Sequence, residues 1–178
     1  MKAITITEPW ATLVAIGAKQ IETRSWPTSY RGPIAIHAAK GMTGDDQEML
    51  AEWAGGKILD TLVQHGINPH SGLEEPGFLN NHFDRHFVAT CPIHRLMQAT
   101  RGHVIATATL DYCGQFDEGT PRRILSRFDE NELYFGDFTP GRFGFYLANV
   151  VRLPRPIPTK GQLGLWDWEP PVELRGAA

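Results

Sequence analysis

Apolar residues recur along this chain with two different periods, and the switches between them mark out its elements. Lys2 to Thr7 alternates and is rich in β-branched residues, which predicts a first strand. Pro9 suits a first helical turn, and Trp10, Leu13 and Val14 fall on one helical face before Gly17 closes the helix. Gln20 to Trp26 returns to period two. Ile21, Thr23 and Ser25 point one way, and Glu22, Arg24 and Trp26 point the other. After a turn over 27–32, Ile34, Ile36 and Ala38 form the buried face of a third strand, with His37 on its opposite face.

The middle of the chain reads as helical. Thr43 and Asp46 resemble a capping box opening a helix with Met49, Leu50 and Trp53 inward, and Gly55-Gly56 is expected to end it. A second helix places Ile58, Leu59, Leu62 and Val63 inward and ends at Gly66. Residues 67–82 read as a surface excursion, and a short helix is expected from Pro92 to Thr100. Val104 to Tyr112 and Phe143 to Leu153 are strands, separated by a polar stretch with one helical turn around Arg122–Arg127. Trp166 and Trp168 near the C-terminus are expected to pack on the sheet. Five or six short strands with helices between them predict an α+β fold, a small mixed β-barrel with flanking helices. One domain over 1–178 is expected, with 41–102 as a largely helical insertion.

Composition narrows the class. The chain has 178 residues, enough to bury a core, and no apolar run long enough to span a bilayer. The N-terminal segment lacks a signal peptide's apolar stretch, and the two cysteines, Cys91 and Cys113, suit a reducing compartment. A cytoplasmic protein is expected. The formal net charge of −3 argues against coating duplex DNA through bulk electrostatics. Its distribution is uneven, with five Lys/Arg against two acids in residues 1–40 and three against eight in 41–100. That pattern fits a small anionic ligand or a short single strand.

The basic segment also concentrates chemistry: Lys19, Glu22, Arg24, Trp26, Tyr30, Arg31, His37 and Lys40 lie close together in sequence. Lys19 follows the first helix and suits a base, a nucleophile or a phosphate ligand. Arg24 offers a planar fork to a phosphate or a base edge, which Glu22 on the same strand face would orient. Trp26 shares that face and is the candidate for stacking on a base, whereas Trp10 is expected in the core. His37 is a candidate acid or base. His82, His86, Cys91 and His94 have ligand chemistry adequate for zinc, but no paired Cys-x2-Cys accompanies them, and no bound metal is expected. With no Walker loop, G-x-G-x-x-G or G-x-S-x-G present, no cofactor is expected either.

Pro9-Trp10-Ala11, Gly17-Ala18-Lys19, Glu22-Thr23-Arg24-Ser25-Trp26, Tyr30-Arg31-Gly32-Pro33 and Ile36-His37-Ala38-Ala39-Lys40 together resemble the ASCH domain family. Phe135 to Phe143 and the closing Gly161 to Trp168 segment are similar to it as well. The resemblance implies a PUA-like barrel whose cleft beside the first helix takes RNA, a nucleotide or a modified nucleoside. Arg24, Trp26, Tyr30, Arg31, His37 and Lys40 are the candidate ligand contacts of such a cleft. Some relatives are implied to be hydrolases, acting on RNA or, with a Lys, Thr and Glu set, on a modified cytidine. Here Lys19 and Glu22 are the candidate catalytic pair, and Glu22 stands where that set has its Thr. A third reading is a protein adaptor that docks a partner through 41–102.

Overall fold

The computed structural model describes residues 1–41, 55–66 and 99–172. Its elements in chain order are β1 (Lys2–Ile6), α1 (Trp10–Ala15), β2 (Ile21–Arg24), β3 (Gly32–Ala38), α2 (Gly55–Gln64), β4 (His103–Gln115), α3 (Thr120–Leu125), a 3₁₀ turn (Glu130–Tyr134), β5 (Phe143–Pro158) and β6 (Leu165–Asp167). The strands form one sheet in the order β2-β5-β4-β3-β1-β6. Among the described strands only β1 and β3 pair in parallel, because α1, β2 and the turn after it provide a crossover between them. The sheet curls into a half-barrel of the PUA-like α+β type. Register shifts along the β4–β5 pairing, between Val104 and Ala106, Thr107 and Thr109, and Leu110 and Tyr112, supply bends that a flat ladder lacks.

Period-two strands give the sheet two faces with different cover. Ile4, Ile6, Ile34, Ile36, Leu110 and Phe145 face the main core, into which α1 drops Trp10, Ala11, Leu13, Val14 and Ala15. Ala3, Ala35, Val104 and Leu153 face the other way, where Trp166 and Trp168 pack on them as expected. A third cluster, Ile21, Phe116, Ile124 and Phe138, fixes α3 over the β2 end.

The α1 helix is short because both ends are specified. The Glu8 carboxylate accepts from the Thr12 amide at 3.0 Å, and Gly17 takes φ +80°, the left-handed conformation that ends a helix cheaply only at glycine. This brings the chain straight into Lys19 and β2.

One local expectation changes: Val63 is 53% exposed rather than inward, while the Gly55-Gly56 pair stands at the start of α2. Ile58 and Leu62 are the fully buried α2 residues in the main core, and Leu59 packs partly buried against it. The expected helix from Thr43, the 67–82 excursion, all but the end of the 92–100 helix, and the His82, His86, Cys91 and His94 cluster lie outside the described residues.

Since Leu62 is fully enclosed in the same core as α1, Leu62→Ala should lower the unfolding free energy by about 2–5 kcal/mol. Urea unfolding, followed by fluorescence and by circular dichroism, should show the loss in a single transition common to both probes. A separate early transition would make the α2 segment an independent unit.

Candidate functional site

The residues singled out from sequence fall into three groups. The first is a charged seam under β2. Gly17 turns the chain so that Lys19 points inward, and its side chain is 1% exposed. Its Nζ donates to the carbonyls of Ile21 at 2.5 Å and Phe135 at 2.7 Å, and lies 3.6 Å from Glu22 Oε2. Glu22 in turn meets Arg24 Nε at 3.1 Å through Oε1. Arg24 then spans the open side of the half-barrel, donating from Nη2 to the Thr5 carbonyl on β1 at 2.5 Å. The predicted sharing of one face by Glu22 and Arg24 is seen directly. Thr23 points to the opposite side, where its hydroxyl accepts from the Asp137 amide at 3.2 Å.

Glu132 completes the seam, and the sequence reading missed it. Its two carboxylate oxygens accept from the Gln20 and Ile21 amides at 2.8 and 2.9 Å, so a buried side chain serves the edge of β2 as a neighbouring strand would. Burial pushes its pKa above the usual carboxylate value, nearby Glu22 adds to that, and Lys19 and the two amides oppose it. An acid within an acidic, turn-rich stretch carries no pattern that marks it as buried. Glu8, between β1 and α1, likewise carries no mark of burial in the sequence. It is fully buried, accepts from Thr12 and Thr100, and has its pKa raised by desolvation.

The second group is aromatic and lies at the turn after β2. Trp26 packs edge-on against Phe145, with ring centroids 5.0 Å apart. Tyr30 donates its hydroxyl to the Pro33 carbonyl. Arg31 binds the carbonyls of Thr28 and Tyr30 and lies 5.9 Å over the Tyr112 ring.

His37 and Lys40 form the third group, which opens on a cleft of about 610 Å³. Its wall includes Thr5, Arg101, His103, Lys160, Gly161 and Gln162. Ile36 faces α1, and His37 stacks at 5.8 Å, edge-on, against Trp166 of the opposite cluster. This cleft is therefore on the far side of the sheet from the first helix. Lys19, Glu22, Arg24, Trp26, Tyr30 and Arg31 do not line it, although Arg24 grips the backbone of Thr5, which does.

Three adjacent strand ends each bring one cation to the cleft. Lys40 follows β3, Arg101 precedes β4 and Lys160 follows β5. The backbone ties these ends in a row, with the Gly102 amide donating to Ala38 O at 2.8 Å and the Thr159 amide to Gly102 O at 2.9 Å. His37 clamps the segment around Lys160. Its Nε2 donates to the Thr159 carbonyl at 3.0 Å, which leaves Nδ1 a buried lone pair with no partner among the described residues. The ring also fixes Gly161, where an added Cβ would stand only 2.4 Å from His37 Cε1 and 2.7 Å from Nδ1. Thr5 Oγ1 donates to the Gln162 carbonyl at 2.9 Å. The described lining residues include three Lys/Arg and no carboxylate. Lys40 and Lys160 are exposed and make no ion pair among the described residues.

Burial holds the His37 pKa below its ordinary 6.5; His103 lowers it further and the Thr159 bond opposes both. The unfolded chain therefore takes up the proton first as pH falls. The stability supplied by the neutral ring is whole above about 6.5 and is lost as pH drops below it. The urea midpoint should accordingly decline between pH 7.5 and 5.5, and His37→Asn should show a shallower decline. Parallel pH profiles would sink this assignment.

The ASCH domain family model matches residues 4–118, which run from within β1 through β4 and include Lys19, Glu22 and Arg24 of the seam but not Glu132. No curated protein matches the chain. Among the described residues no helix is long and apolar enough to cross a membrane.

Proposed function

We propose, from the premise that this chain belongs to the ASCH domain family, that it binds single-stranded RNA or a nucleotide-sized ligand in the His37–Lys160 cleft. Domains of this family are PUA-like and generally bind RNA. The observation that carries the placement is the convergence of Lys40, Arg101 and Lys160 on a cleft whose described lining has no carboxylate, in a chain of net charge −3. About 610 Å³ is within the roughly 300–1,000 Å³ of small-ligand sites. Two of the segments behind the family resemblance, residues 36–40 and 161–168, meet there. Leu163, 99% exposed at the rim, offers an apolar surface to the face of a base.

In this reading Lys40 and Lys160 hold phosphate, and His37 keeps the Lys160 segment in place. Arg24 acts through the fold by closing the half-barrel beside Thr5. Trp26, Tyr30 and Arg31 shape the turn between β2 and β3.

A second reading is hydrolysis of RNA or of a modified nucleoside. One observation favours it: the Lys19 ammonium stands beside Glu22 and within the field of Glu132, so a cation and two carboxylates share one dry seam. Both hydrogen-bonded donors of Lys19 go to main-chain carbonyls, and such a site would have to open to reach substrate. The adaptor reading rests on 41–102, most of which lies outside the described residues.

A salt titration of short-RNA binding tests the first reading. Lys40→Ala and Lys160→Ala should each reduce the slope of log affinity against log salt by about 0.7, one single-strand phosphate contact apiece. Unchanged slopes in both variants would remove this cleft as the RNA site.

Product analysis on a panel of modified nucleosides and unmodified RNA tests the second. Any turnover found should be confined to a modified base and fall about a hundredfold or more in Glu22→Gln, as for a lost acid or base. Robust cleavage of unmodified RNA that vanishes in Lys19→Ala would put the hydrolase first.

A further inference from the structure

We infer that the His37–Lys160 cleft takes the phosphate-bearing end of a nucleotide, a phosphomonoester, rather than an internal stretch of a strand. The inference rests on the RNA-binding reading and specifies its ligand.

Its first support is the placement of the cations. A strand crossing a protein surface is held by charges that follow its backbone from one phosphate to the next. Here Lys40, Arg101 and Lys160 come from three neighbouring strand ends, joined by the Gly102–Ala38 and Thr159–Gly102 hydrogen bonds. Neighbouring strands lie about 4.8 Å apart and all three cations line the one cleft of about 610 Å³, so they face a shared volume rather than an extended path. A phosphomonoester carries close to two negative charges at neutral pH, against one on an internal diester. It therefore gains more from convergent cations.

The second support is rigidity. The backbone at 159, 161 and 162 is pinned to His37 and Thr5 on both sides of Lys160. Lys160 is thus carried on a pre-set support, and binding an anion orders little main chain. The third is an apolar surface at the rim of the same cleft. Leu163 is 99% exposed there and can lie against a base or sugar, which a nucleotide carries and free phosphate lacks.

The experiment compares a fluorescent hexameric RNA bearing a 5′-phosphate, the same strand bearing a 3′-phosphate, and the strand with hydroxyls at both ends. A mononucleotide and inorganic phosphate serve as competitors. One phosphorylated strand should bind at least about tenfold tighter than the hydroxyl-ended strand, and the end that does so names the polarity. The mononucleotide should displace it at lower concentration than inorganic phosphate. In Lys40→Ala and Lys160→Ala the ratio between phosphorylated and hydroxyl-ended strands should fall towards one. Equal binding of all three strands would overturn the inference and leave RNA binding standing. Inorganic phosphate competing as well as the mononucleotide would also overturn it, since nothing beyond an anion would then be read. Failure of every strand to bind would remove the RNA reading itself, and with it this one.

Discussion

An open sheet of six strands has to be held in its curl, and here a single guanidinium does much of the holding. Arg24 leaves β2 at one edge of the sheet and ends on the Thr5 carbonyl of the fifth strand in the order. It can do so because Glu22 sets its Nε side, Lys19 balances Glu22, and Glu132 ties down the edge of β2. Removing one member leaves a desolvated partner behind. For buried ion pairs that cost runs to about 3–5 kcal/mol, well beyond the value of a surface pair. The charges that look most like chemistry in the sequence are thus also the ones that hold the architecture together.

This double use explains which parts of the molecule the sequence disclosed. Period-two and helical patterns gave the strands, α1, and the burial of Trp10, Trp166 and Trp168, because those features depend on hydrophobic alternation. The alternation also put Glu22 and Arg24 on one face. What no pattern could supply was which of the clustered polar residues share a surface. His37 and Lys40 follow Arg24 closely in sequence yet belong to the far side of the sheet, because β3 turns Ile34 and Ile36 into the core under α1 and His37 away from it. Glu132 and Glu8 were illegible because a buried acid is made by its hydrogen-bond donors, and those are backbone amides and hydroxyls contributed by other segments.

The cleft and the seam are physically distinct yet joined by one strand. At its start β5 pairs Phe143 with Arg24, and at its far end Pro158 with His103. The register shifts along it bend the sheet without breaking it, so Arg24 and Lys160 occupy opposite ends of a continuous ladder. Family membership and a general RNA-binding fold describe the whole. The arrangement of cations, a neutral imidazole and a glycine with no room for a side chain describes how this chain individualises it.

The pairing of β1 with β6 sets Lys2 against Asp167. Contacts between segments so distant along the chain form late, since the loop they close is long and must be ordered before any contact rewards it. Gly161, Gln162 and Trp166 belong to that same late segment. On a ribosome the N-terminal strands would emerge well before the residues that wall the cleft and cover the Ala3–Ala35 face. Until those arrive, β1 has a bare edge and the second apolar face stands open to water. A nascent chain of this protein would thus pass through a stage in which its barrel can begin to fold but nothing can yet be bound, and in which its most exposed need is protection from other chains.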